Sequence, residues 1–301
     1  MQDDIIPTLA AVVREQTGLS WSRAKKLCTD GRVTLDGERC LDPAARVLPG
    51  AEVVVNAHGP KLETGPLSKG AIVFADRDIV IVDKPAGMLS VADEPGNKDT
   101  LAEYTRILLR RMGGRGEEGG LGVVHRLDRD TSGLMVFTRT AEAKRKLAAA
   151  FRIHDIERTY LAIAQGIVSE GRIESHLLLD RGDGLRGSHG HYRRAKGPPP
   201  PEAKIAITFV KPLRALEGAT LVECRLETGR QHQIRIHLAE RGNPLLGEKV
   251  YIRDYRGPKI EAPRTMLHAR TLGFTHPGTG ARVSFEREAP ADFDEVVSRL
   301  G

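Results

Sequence analysis

Residues 122–138 read Gly-Val-Val-His-Arg-Leu-Asp-Arg-Asp-Thr-Ser-Gly-Leu-Met-Val-Phe-Thr, and no other stretch constrains the fold as tightly. Two short apolar runs, Val123-Val124 and residues 134–137, bracket a segment dense in polar groups. Runs of that length with β-branched members predict buried strands, and Thr131-Ser132-Gly133 between them predicts a turn. The polar residues are therefore expected in a loop held between two strands of one sheet, where a rigid scaffold commonly carries chemistry. That loop sets Asp128 and Asp130 among Arg126, Arg129 and His125, so at least one carboxylate should be held ionised by a neighbour.

At 301 residues the chain is long enough for one large domain or two unequal ones. No apolar run approaches a membrane span, and Met-Gln-Asp-Asp at the start is unlike a secretory leader, so a cytoplasmic address is expected. Cys28, Cys40 and Cys224 are too scattered for a disulfide framework or a zinc site. A formal charge of +6 favours a polyanionic partner without naming one.

The first domain is expected over residues 1–58. An apolar face over residues 9–14 predicts a helix closed by Gly18, and Ser20 or Ser22 can cap a second helix running to Cys28. Asp36-Gly37 between two short β-rich runs predicts a hairpin, and residues 51–55 a further strand. On Ser22-Arg23, Gly31-Arg32-Val33, Asp36-Gly37 and Leu48-Pro49-Gly50, this segment resembles the small α/β RNA-binding domain named after a small-subunit ribosomal protein, the alpha-L motif. The resemblance implies that Arg23, Lys25, Lys26, Arg32 and Arg39 face RNA. Two departures stand against it: the usual Arg-Leu-Asp opening is absent, and Asp30, Asp36, Glu38 and Asp42 dilute the basic face. A solvated helix face would have the same composition.

Residues 59–69 predict a linker, rich in breakers and without periodicity. Beyond it, strands are expected at residues 71–74, 79–82, 158–166, 203–211, 219–226, 266–270, 272–275 and 283–285. Helices are expected at residues 100–112, 141–151 and 290–300, and residues 228–238 are expected to enter a further helix ending near Gly242. Gly114 to Gly119 formally matches a dinucleotide-binding GxGxxG pattern, but it follows a helix and carries two Glu residues that would repel a pyrophosphate. Residues 185–201, with Arg186, Arg193, Arg194 and Lys196, predict a long basic loop. His189 and His191 are too isolated for a metal site. His232 and His237 invite a zinc reading, yet five residues advance a helix by about 500° and set the two well apart around its axis. No metal is expected.

His125-Arg126-Leu127-Asp128 followed by Thr131-Ser132-Gly133-Leu134 resembles the signature of the RluA-type RNA pseudouridine synthases. Three further matches come in that family's order: Lys84-Pro85-Ala86-Gly87, Tyr160 with Arg158 in place of the family's Lys, and Gly229-Arg230-Gln231-His232-Gln233-Ile234-Arg235. The resemblance spans residues 70–301 and implies an α+β pseudouridine synthase fold with a central mixed, mostly antiparallel sheet. It implies isomerisation of uridine to pseudouridine in structured RNA, most plainly large-subunit ribosomal RNA, with transfer RNA the alternative. No cofactor, nucleotide or membrane is implied, and a monomer is expected.

The family's roles carry over residue by residue. Asp128 would be the catalytic carboxylate, acting on the sugar as nucleophile or deprotonating it at C2′; the residues do not decide between the two. Arg235 would pair with Asp128, Tyr160 would lie against the uracil, and Arg126 would fill the space left by the flipped nucleotide. Lys84 would support the floor of the site. His125 reads as support for the loop, and Asp130 as solvated or paired with Arg129. The plainer readings are a core aromatic for Tyr160 and a buried ion pair for Asp128, the latter requiring that Asp128→Asn stay active. From other classes, a non-catalytic RNA-binding module and a hydrolase of free nucleosides remain as alternatives.

Overall fold

The computed structural model describes residues 7–30, 32–40, 43–57, 67–94, 96–112, 120–191 and 197–301. The chain divides into two compact units, residues 1–68 and 69–301. Residue 58 and most of the expected linker, residues 59–66, lie outside the described residues, as do the glycine-rich residues 113–119, Gly31, Asp42, and Arg193, Arg194 and Lys196.

In the small unit, Thr8 caps α1 (Leu9–Thr17), and Gly18 closes it in the left-handed conformation at φ 68°. Ser20 caps α2 (Trp21–Thr29) by accepting from Arg23 N–H. The hairpin forms as the Asp36-Gly37 pair predicts: β1 (Val33–Leu35) and β2 (Glu38–Arg39) are antiparallel, with φ of 53° and 81° at the two turn residues. β3 (Val53–Val55) pairs the other edge of β1. Leu9, Val13, Ala24, Leu27, Val33 and Val47 are buried together beneath this sheet.

The large unit is built on one sheet. After a 3-10 turn (Lys69–Ala71) come β4 (Ile72–Ala75) and β5 (Ile79–Lys84), then α3 (Leu101–Arg111), capped by Thr100. β6 (Gly122–Val123) and β7 (Ser132–Thr138) flank the Asp128 loop. α4 (Ala141–Arg152) leads to β8 (Glu157–Gln165), β9 (Gly171–Leu178), β10 (Gly187–Ser188), β11 (Lys204–Leu216) and β12 (Ala219–Leu226). α5 (Gln233–Glu240), β13 (Leu267–Thr275), β14 (Arg282–Glu286) and α6 (Ala291–Leu300) complete it. The spatial order is β10-β9-β11-β12-β8-β13-β7-β5-β4, with β14 beside β13 and β6 beside β7. Among the described strands every pairing is antiparallel except β13 with β7, so the sheet is mixed and mostly antiparallel as expected.

That parallel contact corrects the expectation for residues 131–133. Ser132 and Gly133 open β7 and register with His268 and Ala269, and the turn lies one step earlier at Arg129-Asp130. Gly133 has φ 108°, and a Cβ there would stand 2.2 Å from Ala269 O. The glycine is required by close backbone approach. Val123, expected in a buried strand, is exposed on a strand of two residues. β11 continues past Lys211 to Leu216 by shifting register between Pro212 and Arg214, because proline cannot donate to the ladder. A short strand, β10, sits inside the expected basic loop.

Two apolar layers stabilise the sheet. Ile79, Ile81, Leu134, Val136, Leu147 and Phe274 fill the space under α4, and Ile163, Leu246, Met266, Phe293 and Val296 fill that under α6.

Candidate active site

The Asp128 loop is pinned through its backbone. Lys84, at the end of β5, has no solvent exposure, and its Nζ donates to Pro85 O at 3.0 Å, Arg129 O at 2.8 Å and Thr131 O at 2.7 Å. Three carbonyls match the three N–H bonds of an ammonium. Burial nevertheless pushes the Lys84 pKa down to about 7, against the pull of Asp128 and Asp130. Ser90 Oγ donates to Leu127 O and accepts from Leu127 N–H, and Arg264 donates to Asp130 O. His125 supports the loop as expected: its Nε2 accepts from Val136 N–H at 3.1 Å and its ring stacks on Phe151. Burial and then the Arg158 charge push that ring down to about 3, so it stays neutral and able to accept. Of the two readings of Asp130, pairing with Arg129 is not seen, because Arg129 Nε reaches Gly87 O instead.

With its neighbours held, the Asp128 side chain projects into a cavity of about 370 Å³, within the range usual for small-ligand sites. Its Oδ2 accepts from Arg235 at 3.1 Å, and its Oδ1 lies 3.7 Å from His232 Nε2. Tyr160, on β8, lines the same cavity with Phe151, Leu226 and Leu267. Arg126 is exposed at the rim and makes no hydrogen bond to described residues. Thus Asp128, Arg126, Tyr160 and Arg235 meet around one cleft although spread over more than a hundred residues of sequence.

Arg235 is oriented from a direction the sequence reading missed. Glu248 takes it in a two-point clasp, Nε to Oε2 at 2.7 Å and NH2 to Oε1 at 2.8 Å, and itself accepts from Val250 and Tyr251 N–H. The Glu248 side chain is wholly buried. Burial would raise its pKa, but Arg235 and those two N–H groups hold it below the ordinary value. Burial likewise opposes the Arg235 charge, and the carboxylates of Glu248 and Asp128 outweigh it. Tyr251 lies under the guanidinium, 5.4 Å from ring centroid to Cζ, and bonds His232 Nδ1 through its hydroxyl at 2.8 Å.

α5 is fixed from beneath by Gln233, whose amide receives Thr228 Oγ1–H and Arg230 N–H and donates to Ile207 O and Thr208 Oγ1. His237 bonds Thr208 and Ser175 on the side away from His232, and no metal-like group of three His, Cys, Asp or Glu occurs among the described residues. Arg158, where the family has Lys, is buried beside the cavity, donating to Glu227 O at 3.3 Å and lying over Phe151.

On the small unit Arg23, Lys25 and Lys26 are exposed on α2. Arg32 is not presented as expected: it is half-buried, and NH1 donates to Ala57 O at 3.0 Å. Asp30 is buried, whereas Asp36 is exposed, its Oδ1 accepting from Glu52 N–H. The side chain of Arg39 lies outside the description. No helix among the described residues is long and apolar enough to cross a membrane.

Comparison with known proteins agrees with this architecture. Residues 78–240 match the family described as RNA pseudouridylate synthase, and residues 9–53 match the S4 domain. The ribosomal large subunit pseudouridine synthase D of Pseudomonas aeruginosa is 35% identical over 93% of this chain and 88% of its own length. Its namesake in Zymomonas mobilis is 36% identical over 94% and 90%. The human RNA pseudouridylate synthase domain containing 4 superposes with a TM-score of 0.61 at 23% identity, over 77% of this chain and 93% of that one, and so shares the fold. With its matched domain covering more than half the chain and its relatives aligned nearly end to end, this chain belongs to the RNA pseudouridylate synthase family.

Proposed function

We propose that this chain isomerises uridine to pseudouridine in large-subunit ribosomal RNA, with Asp128 as the catalytic carboxylate. The reaction breaks the N1–C1′ bond, turns the uracil and joins C5 to the same sugar carbon; C5 loses a proton and N1 gains one. No group is imported and no electrons leave, so no cofactor is assigned. One observation carries the reading. Asp128 has one oxygen held by Arg235 and the other turned to the cavity, as a carboxylate acting on a sugar requires.

Tyr160 offers an aromatic wall against which the ring can rest before and after it turns. Arg126, exposed and without a hydrogen bond to described residues, would occupy the gap left by the flipped nucleotide. The apolar walls keep water from the detached base. Arg23, Lys25 and Lys26 supply phosphate contacts from the small unit. The enzyme is taken to act as a cytoplasmic monomer.

The choice of ribosomal over transfer RNA rests on the names of the relatives, several of which are large-subunit enzymes. The test is pseudouridine mapping by carbodiimide modification and reverse-transcription stops in three strains: a deletion, and the deletion complemented with wild type or Asp128→Asn. Stops in large-subunit RNA lost on deletion and restored by wild type alone are expected. Restoration by Asp128→Asn would refute the role of Asp128, and stops lost from transfer RNA would move the substrate.

A further inference from the structure

The cleft is two adjoining cavities. The larger, with Tyr160, Phe151 and Leu226, has an apolar wall; the smaller, of about 220 Å³, is lined by Arg129, Asp130 and Thr265. Asp128 and His232 line both, with Arg126, Thr131, Gln231 and Arg235. A nucleotide bound with its base in the first and its phosphate side in the second has its sugar at the junction, beside Asp128 and His232. The reaction as described uses Asp128 and leaves His232 without a task.

The placing of His232 is specific. Its φ of 60° puts it in the left-handed region, uncommon for a residue other than glycine, and at the head of α5 it gives no side-chain cap. Its ring is committed elsewhere. Burial lowers the imidazole pKa and raises that of Tyr251 to about 12, so the ring is neutral and the phenol keeps its proton. The Asp128 carboxylate, 3.7 Å from Nε2, favours the tautomer with its proton on Nε2, and in that tautomer Nδ1 accepts from the Tyr251 phenol. At 3.7 Å Nε2 and Asp128 Oδ1 are too far apart for a good hydrogen bond. They are close enough for one oxygen to lie within bonding distance of both.

That oxygen must accept from Nε2–H and donate to a carboxylate. Around the reacting sugar carbon, the ring oxygen O4′ and the uracil carbonyl can accept but cannot donate. The 2′-hydroxyl does both. We propose that His232 recognises the ribose of the target nucleotide, its Nε2–H donating to the 2′-hydroxyl, which in turn donates to Asp128 Oδ1. The proposal rests on the reading of Asp128 as the carboxylate that acts on the sugar. It gives the enzyme a direct means of telling RNA from DNA at the modified position. A hydroxyl contact at this place also tightens as the sugar carbon gains positive charge.

The test is a cycle of protein and substrate changes. The RNA segment found by the mapping above is synthesised with uridine or 2′-deoxyuridine at the target position. Single-turnover rates and dissociation constants are measured for wild type, His232→Asn and Tyr251→Phe. Asn is chosen because it tolerates a left-handed backbone. Wild type should lose about 10- to 100-fold in rate on the deoxy substrate, the factor expected for one lost hydrogen bond to a charged group. His232→Asn should lose a similar factor on the uridine substrate, and less than about twofold more on removal of the hydroxyl. Tyr251→Phe should fall between.

An undiminished deoxy penalty in His232→Asn, in rate and in binding, overturns the proposal. If wild type does not turn over the deoxy RNA, the binding cycle decides; if His232→Asn does not fold, Tyr251→Phe decides. Wild type inactive on the uridine RNA would instead refute the catalytic reading itself.

Discussion

Asp128 and Glu248 grip the same guanidinium from two loops, and the two loops treat their carboxylates differently. Glu248 is wholly buried and all its visible capacity is spent, on two Arg235 contacts and two backbone N–H groups. Asp128 makes one contact to Arg235 and is about a fifth exposed, 21% by side-chain area, with an oxygen facing the cleft. Full satisfaction fixes a group; partial satisfaction leaves it able to react. Glu248 is thus the carboxylate that orients and Asp128 the one proposed to act, and Arg235 joins them.

Breaking the acting side should have the largest effect on rate. Asp128→Asn is expected to lower turnover on the order of 10⁴-fold or more while leaving the melting temperature within a few degrees of wild type. Breaking the orienting side should be milder in rate and harsher in stability. Glu248→Gln removes the charge that compensates a mostly buried guanidinium, which costs about 3 kcal/mol in denaturant unfolding, and displaces the Asp128 partner, lowering single-turnover rate by about 10²-fold. If Glu248→Gln were as stable as wild type, the distinction would fail.

Lys84→Met tests whether the loop backbone matters in its own right. Three carbonyls lose their donor, with an expected cost of about 2 kcal/mol and a smaller fall in rate, since Asp128 keeps Arg235. The opposite face of α5 offers a pH test. Burial pushes the His237 pKa down to about 4. The stability it supports is therefore present above the unfolded value near 6.5 and is lost as pH falls from there towards 4. Between pH 7 and 5 that is about 2 kcal/mol, and His237→Gln should flatten melting temperature against pH over that window. The smallest effects are expected on the small unit, where Lys25→Gln or Lys26→Gln should weaken RNA binding a few-fold and reduce its salt dependence. Arg32→Gln should instead lower the stability of that unit, because Arg32 holds Ala57 O.

The division between what the sequence disclosed and what it hid follows the same line. Asp128, Tyr160 and Arg235 stand in stretches whose order of residue types is specific, so they could be found without knowing what touches what. Glu248 stands between Gly247 and Lys249 in a segment without periodicity, and nothing local marks it. The signal that could have found it is arithmetic: a guanidinium carries five N–H donors, and one carboxylate contact leaves most of them unmet. Gly133 was misread for a related reason. Thr-Ser-Gly has turn chemistry, but the need for a glycine there comes from Ala269, which sequence proximity cannot reveal. Arg32 belongs to the same class, its charge legible and its backbone partner not.

The parallel contact between β7 and β13 also sets an order of events. Ser132 meets His268, 136 residues later in the chain, and the strands on either side of this seam are otherwise paired among themselves. During synthesis the segment from β4 to β7 can form its own antiparallel ribbon early. The edge of β7 that receives β13 must then wait while most of the catalytic unit is made, and long-range closures of that kind are slow and leave strand edges open. Arg264, which grips Asp130 O, arrives in the same late stretch. A nascent chain therefore carries its aspartate, with Lys84 and Ser90 already beside the loop, long before Arg235 and Arg264 arrive to complete its setting.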